Sequence, residues 1–247
     1  MVFTLTLLTA RLDAANAFDA AHSEWTTLLS RVVRNGLVDY TRLQSEVRSL
    51  DRYLASLSAV EPGTFKGWDE SSQIAFLCNA YNAFTLKLVL DHKPRQSIKE
   101  IGGPFRSPWK LPVVRLFGEA LSLDALEHEN LRKRYQEPRI HFALVCAAMG
   151  CPPLREEAYV GSRLDRQLSD QARRFLAQSS KHRIDWDMRL VYISPIFKWF
   201  EEDFVKTSGS VWAAIRPYWP EGAKPAAFEK FEIRYSEYDW SLNRFIP

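Results

Sequence analysis

The sequence predicts an α+β fold, mostly helical, arranged as one domain around a central buried helix with a small, largely antiparallel sheet. Three observations carry that expectation. Residues 71 to about 92 are apolar nearly all round (Ile74, Phe76, Leu77, Tyr81, Phe84, Leu88, Val89), and a helix with no polar face belongs inside a fold. Amphipathic helical spacing recurs on both sides of that segment, whereas strand-like runs are few and short. No stretch reads as an interdomain linker, because residues 222–225 are too few and too late in the chain.

The elements follow in order. Phe18, Ala21, Trp25, Leu28, Leu29, Val32 and Val33 have helical spacing, which Asn35-Gly36 ends as a turn pair. Leu43, Val47, Leu50, Leu54 and Leu57 mark a second amphipathic helix, closed by Glu61-Pro62-Gly63. Pro94 stops the central helix. Residues 113–117 predict a strand, and Ser122 is a good N-cap for a helix through Arg134. The run 138–146 (PRIHFALVC), short and apolar after a proline, predicts a buried strand. Leu164, Leu168, Ala172, Phe175 and Leu176 mark another helix, and 183–193 reads as a hairpin turning near Asp187-Met188. Ser194-Pro195 supply an N-cap and first helical residue for IFKWFEEDF, and the alternation in FEIRY predicts a closing strand.

Composition narrows the function. Lys+Arg 33 against Asp+Glu 30 leaves a net charge of +3, too even for a nucleic-acid footprint. Hydrophobics at 46% and aromatics at 13% exclude disorder as the main state, and three Cys exclude a disulfide scaffold. No apolar run approaches the roughly 20 residues of a membrane-spanning helix, so a soluble body is expected. Residues 1–17 read as the remnant of a secretory signal, with an apolar run at 2–10 and Ala15-Asn16-Ala17 as a small-residue cleavage site, leaving 18–247 as the globular domain. No Lys or Arg precedes that run. The expected location is periplasmic or secreted; an ordinary N-terminal segment would instead leave the protein cytoplasmic.

The densest chemistry lies in 139–154, RIHFALVCAAMGCPPL, which holds His141, Cys146 and Cys151. Pro152-Pro153 suit the first turn of a helix and push Cys151 towards an N-cap conformation. The sulfur would then sit at the positive end of a helix, where a thiolate is favoured. On a regular strand His141 and Cys146 face opposite ways and stand about 17 Å apart, so Cys151 is the better nucleophile. Its base would be His141, or His128 on the preceding helix. Glu127 could orient nothing on the His128 side, since adjacent helical residues diverge. Other readings of the pair stay open: Cys146 and Cys151 could close a disulfide in an exported protein, or join His128 and His141 at a metal, although the spacing matches no common zinc pattern and no cofactor is expected. Cys78 suits core packing. Asn79 and Asn82, three apart on the buried helix, either tie it to backbone or offer amide donors to a substrate oxygen. Trp199 and Asp203 add further polar and aromatic groups, and Arg132-Lys133-Arg134 reads as a solvated helix end.

AFLCNAYNAFTLKLVL (75–90), SLDALEHENLR (122–132), RIHFALVCAAMGCPPLREEAY (139–159), SPIFKWFEEDF (194–204) and YDWSLN (238–243) together resemble the domain of unknown function 547 family. The resemblance implies no established activity. It places weight on Asn79, Asn82, His128, Arg139, His141, Cys146, Cys151 and Asp203, and it implies export, which is frequent among bacterial members. An analogy to papain- or transglutaminase-like folds needs a rearranged order here, since only His182 follows the cysteines.

The expected function is a thiol-dependent hydrolase or acyltransferase on a small-molecule, peptide-like or thiol-containing substrate. Cys151 would be the nucleophile, His141 or His128 the base, and Asn82 a transition-state donor, with Asn79, Arg139, Cys146, Trp199 and Asp203 binding substrate. The alternative is a non-catalytic binding module whose cysteines are structural.

Overall fold

The computed structural model describes residues 18–103, 106–220 and 230–246; the signal-like stretch 1–17 and the glycine-containing stretch 222–225 lie outside them. Helix α1 (Ser23–Val32) buries Trp25, Leu28, Leu29 and Val32. A two-residue turn at Asn35-Gly36, both with positive φ, joins strands β1 (Val33–Arg34) and β2 (Leu37–Val38), as a tight hairpin requires. The Asp39 side chain caps α2 (Tyr40–Ser45), and α3 (Val47–Ser58) follows. Trp25 stacks on Tyr53 of α3, with ring centroids 5.2 Å apart. A short α4 (Pro62–Lys66) starts on its proline.

Helix α5 (Glu70–His92) is the central element, and its interior residues are buried on every side. Asp69 caps its start by accepting from Ser72 N–H, and Lys93, in the left-handed conformation, ends it. Strands β3 (Val114–Leu116) and β4 (Glu119–Leu121) form a second hairpin. Ser122 caps α6 (Leu123–Ala125), as its position in the sequence implies. From there the chain widens into a π-helical turn, Leu126–Arg132.

The run 138–146 is where the expected strand fails. Residues Ile140–Ala143 form one helical turn, α7, and only then does the chain extend. Backbone bonds from Ile140 to Glu137, His141 to Pro138 and Phe142 to Arg139 wind it after the proline. A short apolar run satisfies a buried turn as well as a buried strand, and periodicity alone does not separate them. Helix α8 (Leu164–Leu176) is followed by strands β5 (Arg183–Asp185) and β6 (Leu190–Ile193), the expected hairpin. Helices α9 (Ile196–Trp199), α10 (Glu201–Ser208) and α11 (Val211–Ile215) precede β7 (Glu232–Tyr235), which pairs with β6 in parallel. Among the described residues the strands therefore make three small sheets rather than one, the first two antiparallel and the third mixed. The fold is α+β and mostly helical, as the sequence implied.

The interior has two apolar bodies. One surrounds α5; the other gathers Phe142, Phe175, Phe197 and Phe204 with β6. Helix α7 lies on the seam, with Ile140 and Ala143 in the first body and Phe142 in the second. Asn82 fixes that seam from α5: its amide N–H donates to Ala143 O at 2.9 Å, and its Oδ1 accepts from Val145 N–H at 2.9 Å. Asn79 does the same for Tyr159, donating to its carbonyl at 2.8 Å and accepting from its N–H at 2.9 Å.

Candidate functional site

Along the seam opens a cavity of about 210 Å³. Cys146, Cys151, His128, His141 and Trp199 all line it, joined by Glu127. The sequence reading placed His141 and Cys146 on opposite strand faces. The α7 turn removes that objection, and both face the same space.

Its acid–base core is a chain of four side chains. His141 Nε2–H donates to Asp203 Oδ2 at 2.7 Å. Arg132 grips the same carboxylate with two bonds, Nε to Oδ2 at 2.6 Å and Nη2 to Oδ1 at 3.0 Å. Arg132 Nη1 also donates to His128 Nδ1 at 2.8 Å, which puts the proton of a neutral His128 on Nε2. The basic run is thus not merely a solvated helix end, since Arg132 reaches inward across 71 residues of sequence. Burial would raise the Asp203 carboxyl, but hydrogen bonds from His141 and Arg132 outweigh it and hold it well below the usual carboxylate range. Burial lowers the pKa of His141 despite Asp203, which favours the neutral ring. It stacks on Phe200 with centroids 3.9 Å apart. With Nε2–H committed to Asp203, Nδ1 carries a lone pair. That atom is buried, has no hydrogen-bond partner and lies 3.9 Å from Glu127 Oε1, too far for a bond.

Glu127 and His128 share the cavity although they are neighbours in sequence. In an α-helix they would diverge. The π-helical turn winds more residues into each turn, which narrows the angle between successive side chains. Burial pushes the Glu127 carboxyl up to about 7, against the opposing charge of Arg132 and a hydrogen bond from Tyr81. The sign of its effect on stability follows. A folded pKa above the unfolded value of 4.5 means that stability falls as pH rises from about 4.5 to about 7. The full cost, about 3 kcal/mol, stands above that window. Glu127→Gln is therefore expected to be more stable than the parent at pH 8 by up to about 3 kcal/mol, with the gap closing at pH 4.5. Urea titrations at the two pH values measure it.

The two sulfurs are joined. Cys146 and Cys151 form a disulfide, with Cα atoms 6.2 Å apart. No helix follows Cys151, contrary to the expected N-cap. The chain is held extended by partners elsewhere: Leu154 N–H bonds to Gly36 O at 3.1 Å, and the Pro153 carbonyl accepts from Gln171. Gly36 is needed there, because a Cβ would stand 2.3 Å from Pro153 Cβ. Two donors point at Cys151 Sγ instead of a helix dipole. They are the Cys146 N–H at 3.0 Å and the Tyr238 hydroxyl at 3.2 Å, the hydroxyl standing equally 3.2 Å from Cys146 Sγ. Tyr238 comes from the segment that bonds to the disulfide loop through Met149 N–H to Ser241 O and Gly150 N–H to Asp239 O, both 2.7 Å. Gly150 lets that ring close in, since a Cβ there would meet it at 2.8 Å.

Five of the residues singled out from sequence stand off the cavity. Asn79 and Asn82 are committed to backbone, as above. Arg139 pairs with Glu137 and Asp165 and donates to Ser169. Asp203 reaches the cavity through other side chains, His141 directly and His128 by way of Arg132. Cys78 is buried in the core, where burial pushes its thiol well up. The sequence assigns Glu127, Arg132 and Tyr81 no role at the site. For Glu127 and Arg132 the one available signal is the density of titratable residues in LEHENLR; Tyr81, on the all-apolar helix, has none. Among the described residues, no group of three or more His, Cys, Asp or Glu is arranged to hold a metal ion. No described helix is long and apolar enough to cross a membrane.

No curated protein and no solved structure matches the chain. Residues 65–176, which carry α5, the π-helical turn, α7 and both cysteines of the disulfide, match the family model "Protein of unknown function, DUF547", and the chain resembles that family.

Proposed function

We propose that the cavity is a thiol-dependent acyl-transfer centre, hydrolysing or transferring an acyl group of a peptide-like or thiol-containing substrate once the disulfide is reduced. The observation that carries the reading is His141 Nδ1. It is an unpartnered acceptor on a ring oriented by Asp203, at the cavity that both sulfurs line. An imidazole held by a carboxylate on one nitrogen and free on the other is the arrangement a general base requires. The Cys146 N–H donates to Cys151 Sγ, and the Tyr238 hydroxyl is shared by both sulfurs, so the amide favours a thiolate at Cys151 after reduction; Cys151 is the nucleophile and His141 accepts its proton. Glu127, titrating at about 7, is the adjoining proton partner. At about 210 Å³ the cavity suits one side chain or a short acyl group, smaller than a drug-sized ligand needs. A disulfide supports the periplasmic or secreted location.

The test uses reduced, folded protein and an activated ester or thioester. The expected result is an acyl adduct on Cys151 by mass spectrometry, suppressed in His141→Ala. Failure to acylate, with Cys151 alkylated no faster than a free thiol, overturns the reading. The disulfide itself favours the second reading, a binding module with structural cysteines. In that case a Cys146→Ser/Cys151→Ser variant would lose about 2 kcal/mol of stability and nothing else.

A further inference from the structure

The oxidised site has a chemistry of its own, which needs no acyl substrate. The two sulfurs are unequal. Both line the cavity, but Cys151 is 3% exposed while Cys146 is partly open. The Cys146 N–H points at Cys151 Sγ, and the Tyr238 hydroxyl stands 3.2 Å from both sulfurs. Tyr238 keeps its proton at neutral pH, because burial raises its phenol. An incoming nucleophile therefore meets Cys146, and the charge of the broken bond develops where two donors are already fixed. Donors aimed at the leaving atom lower the barrier to its departure.

From this geometry we infer that the protein is a thiol–disulfide oxidoreductase, in which a substrate thiol attacks Cys146 Sγ and Cys151 leaves as a thiolate held by Tyr238 and the Cys146 amide. The substrate thiol gives its proton to His141 Nδ1. Its sulfur bonds to Cys146 Sγ as the Cys146–Cys151 bond breaks, and that electron pair stays on Cys151. The proton on His141 then passes to Cys151. A second substrate thiolate attacks the substrate sulfur of the mixed disulfide and releases Cys146, which takes up the second proton. Two substrate thiols become one substrate disulfide, and the protein disulfide becomes two thiols. The substrate is a small thiol, or a cysteine on an extended chain, since the space beside Cys146 admits one side chain.

The experiment needs no variant. Oxidised protein is mixed with 2-mercaptoethanol at pH 7, quenched with N-ethylmaleimide and mapped by mass spectrometry. The reference is a synthetic disulfide peptide spanning 145–152. The expected adduct is mercaptoethanol on Cys146 with maleimide on Cys151, formed about tenfold faster than in the peptide. Tyr238→Phe, folded by circular dichroism, is expected to lose about that tenfold gain, and His141→Asn to shift the pH profile of the rate. Mercaptoethanol on Cys151, an even split between the cysteines, or a rate no faster than the peptide's overturns the inference. The readout contains no acyl substrate, so its failure leaves the acyl-transfer reading standing, and the converse holds.

Discussion

Asp203→Ala is expected to destabilise the protein by about 3 kcal/mol and to reduce Cys151 acylation about 10³-fold. The size of the first effect comes from what is left behind. Arg132 is 21% exposed and His141 is buried, so removing the carboxylate strands a cation and an N–H that water reaches poorly. Breaking a buried pair from one side is costly because the remaining partner stays desolvated. The pH dependence is fixed by the depressed carboxyl. Its contribution is present in full above its unfolded value near pH 4 and is lost as pH falls through the folded one. The gap between variant and parent in denaturant titrations should therefore be complete at pH 7 and shrink below about pH 4. The second effect arises because, without Asp203, nothing fixes which nitrogen of His141 carries the proton. Equal acylation rates in folded Asp203→Ala and parent would remove His141 from the role of oriented base.

Asn82→Ala is the second large effect, and it separates the two roles that the sequence left open. An amide that serves a substrate oxygen would leave stability unchanged when truncated and take only activity. In the fold, Asn82 instead satisfies a buried carbonyl and a buried N–H, those of Ala143 and Val145. Stranding both, at about 1–3 kcal/mol each, should destabilise by about 4 kcal/mol. Hydrogen exchange provides the specific check: the Val145 amide, which flanks α7, should lose protection beyond the global change. Unchanged stability would show that the two backbone groups find other partners.

How much of this was legible follows from where each determinant lies in the chain. Helix α5 declared itself because apolar residues occupy every face of one continuous segment. The caps at Ser122 and the β5–β6 turn are local too, and both stand where their residues imply. Residues 138–146 are ambiguous in principle, since eight residues between a proline and a loop satisfy a strand or a turn equally. The bidentate grip of Arg132 on Asp203 bridges 71 positions, and only tertiary packing brings those groups together. The helix expected after Cys151 is absent for a similar reason. A Pro-Pro start predicts a helix locally, but Gly36 and Gln171, both distant in sequence, take the polar groups of that segment and hold it straight.

The wide turn at Leu126–Arg132 has one more consequence. It brings a carboxyl and an imidazole on consecutive residues closer to one side, where both line the same space. Such a turn differs from ordinary winding by a single accommodated residue, so deleting one residue between Ser122 and Arg132 is expected to turn the Glu127 and His128 side chains apart.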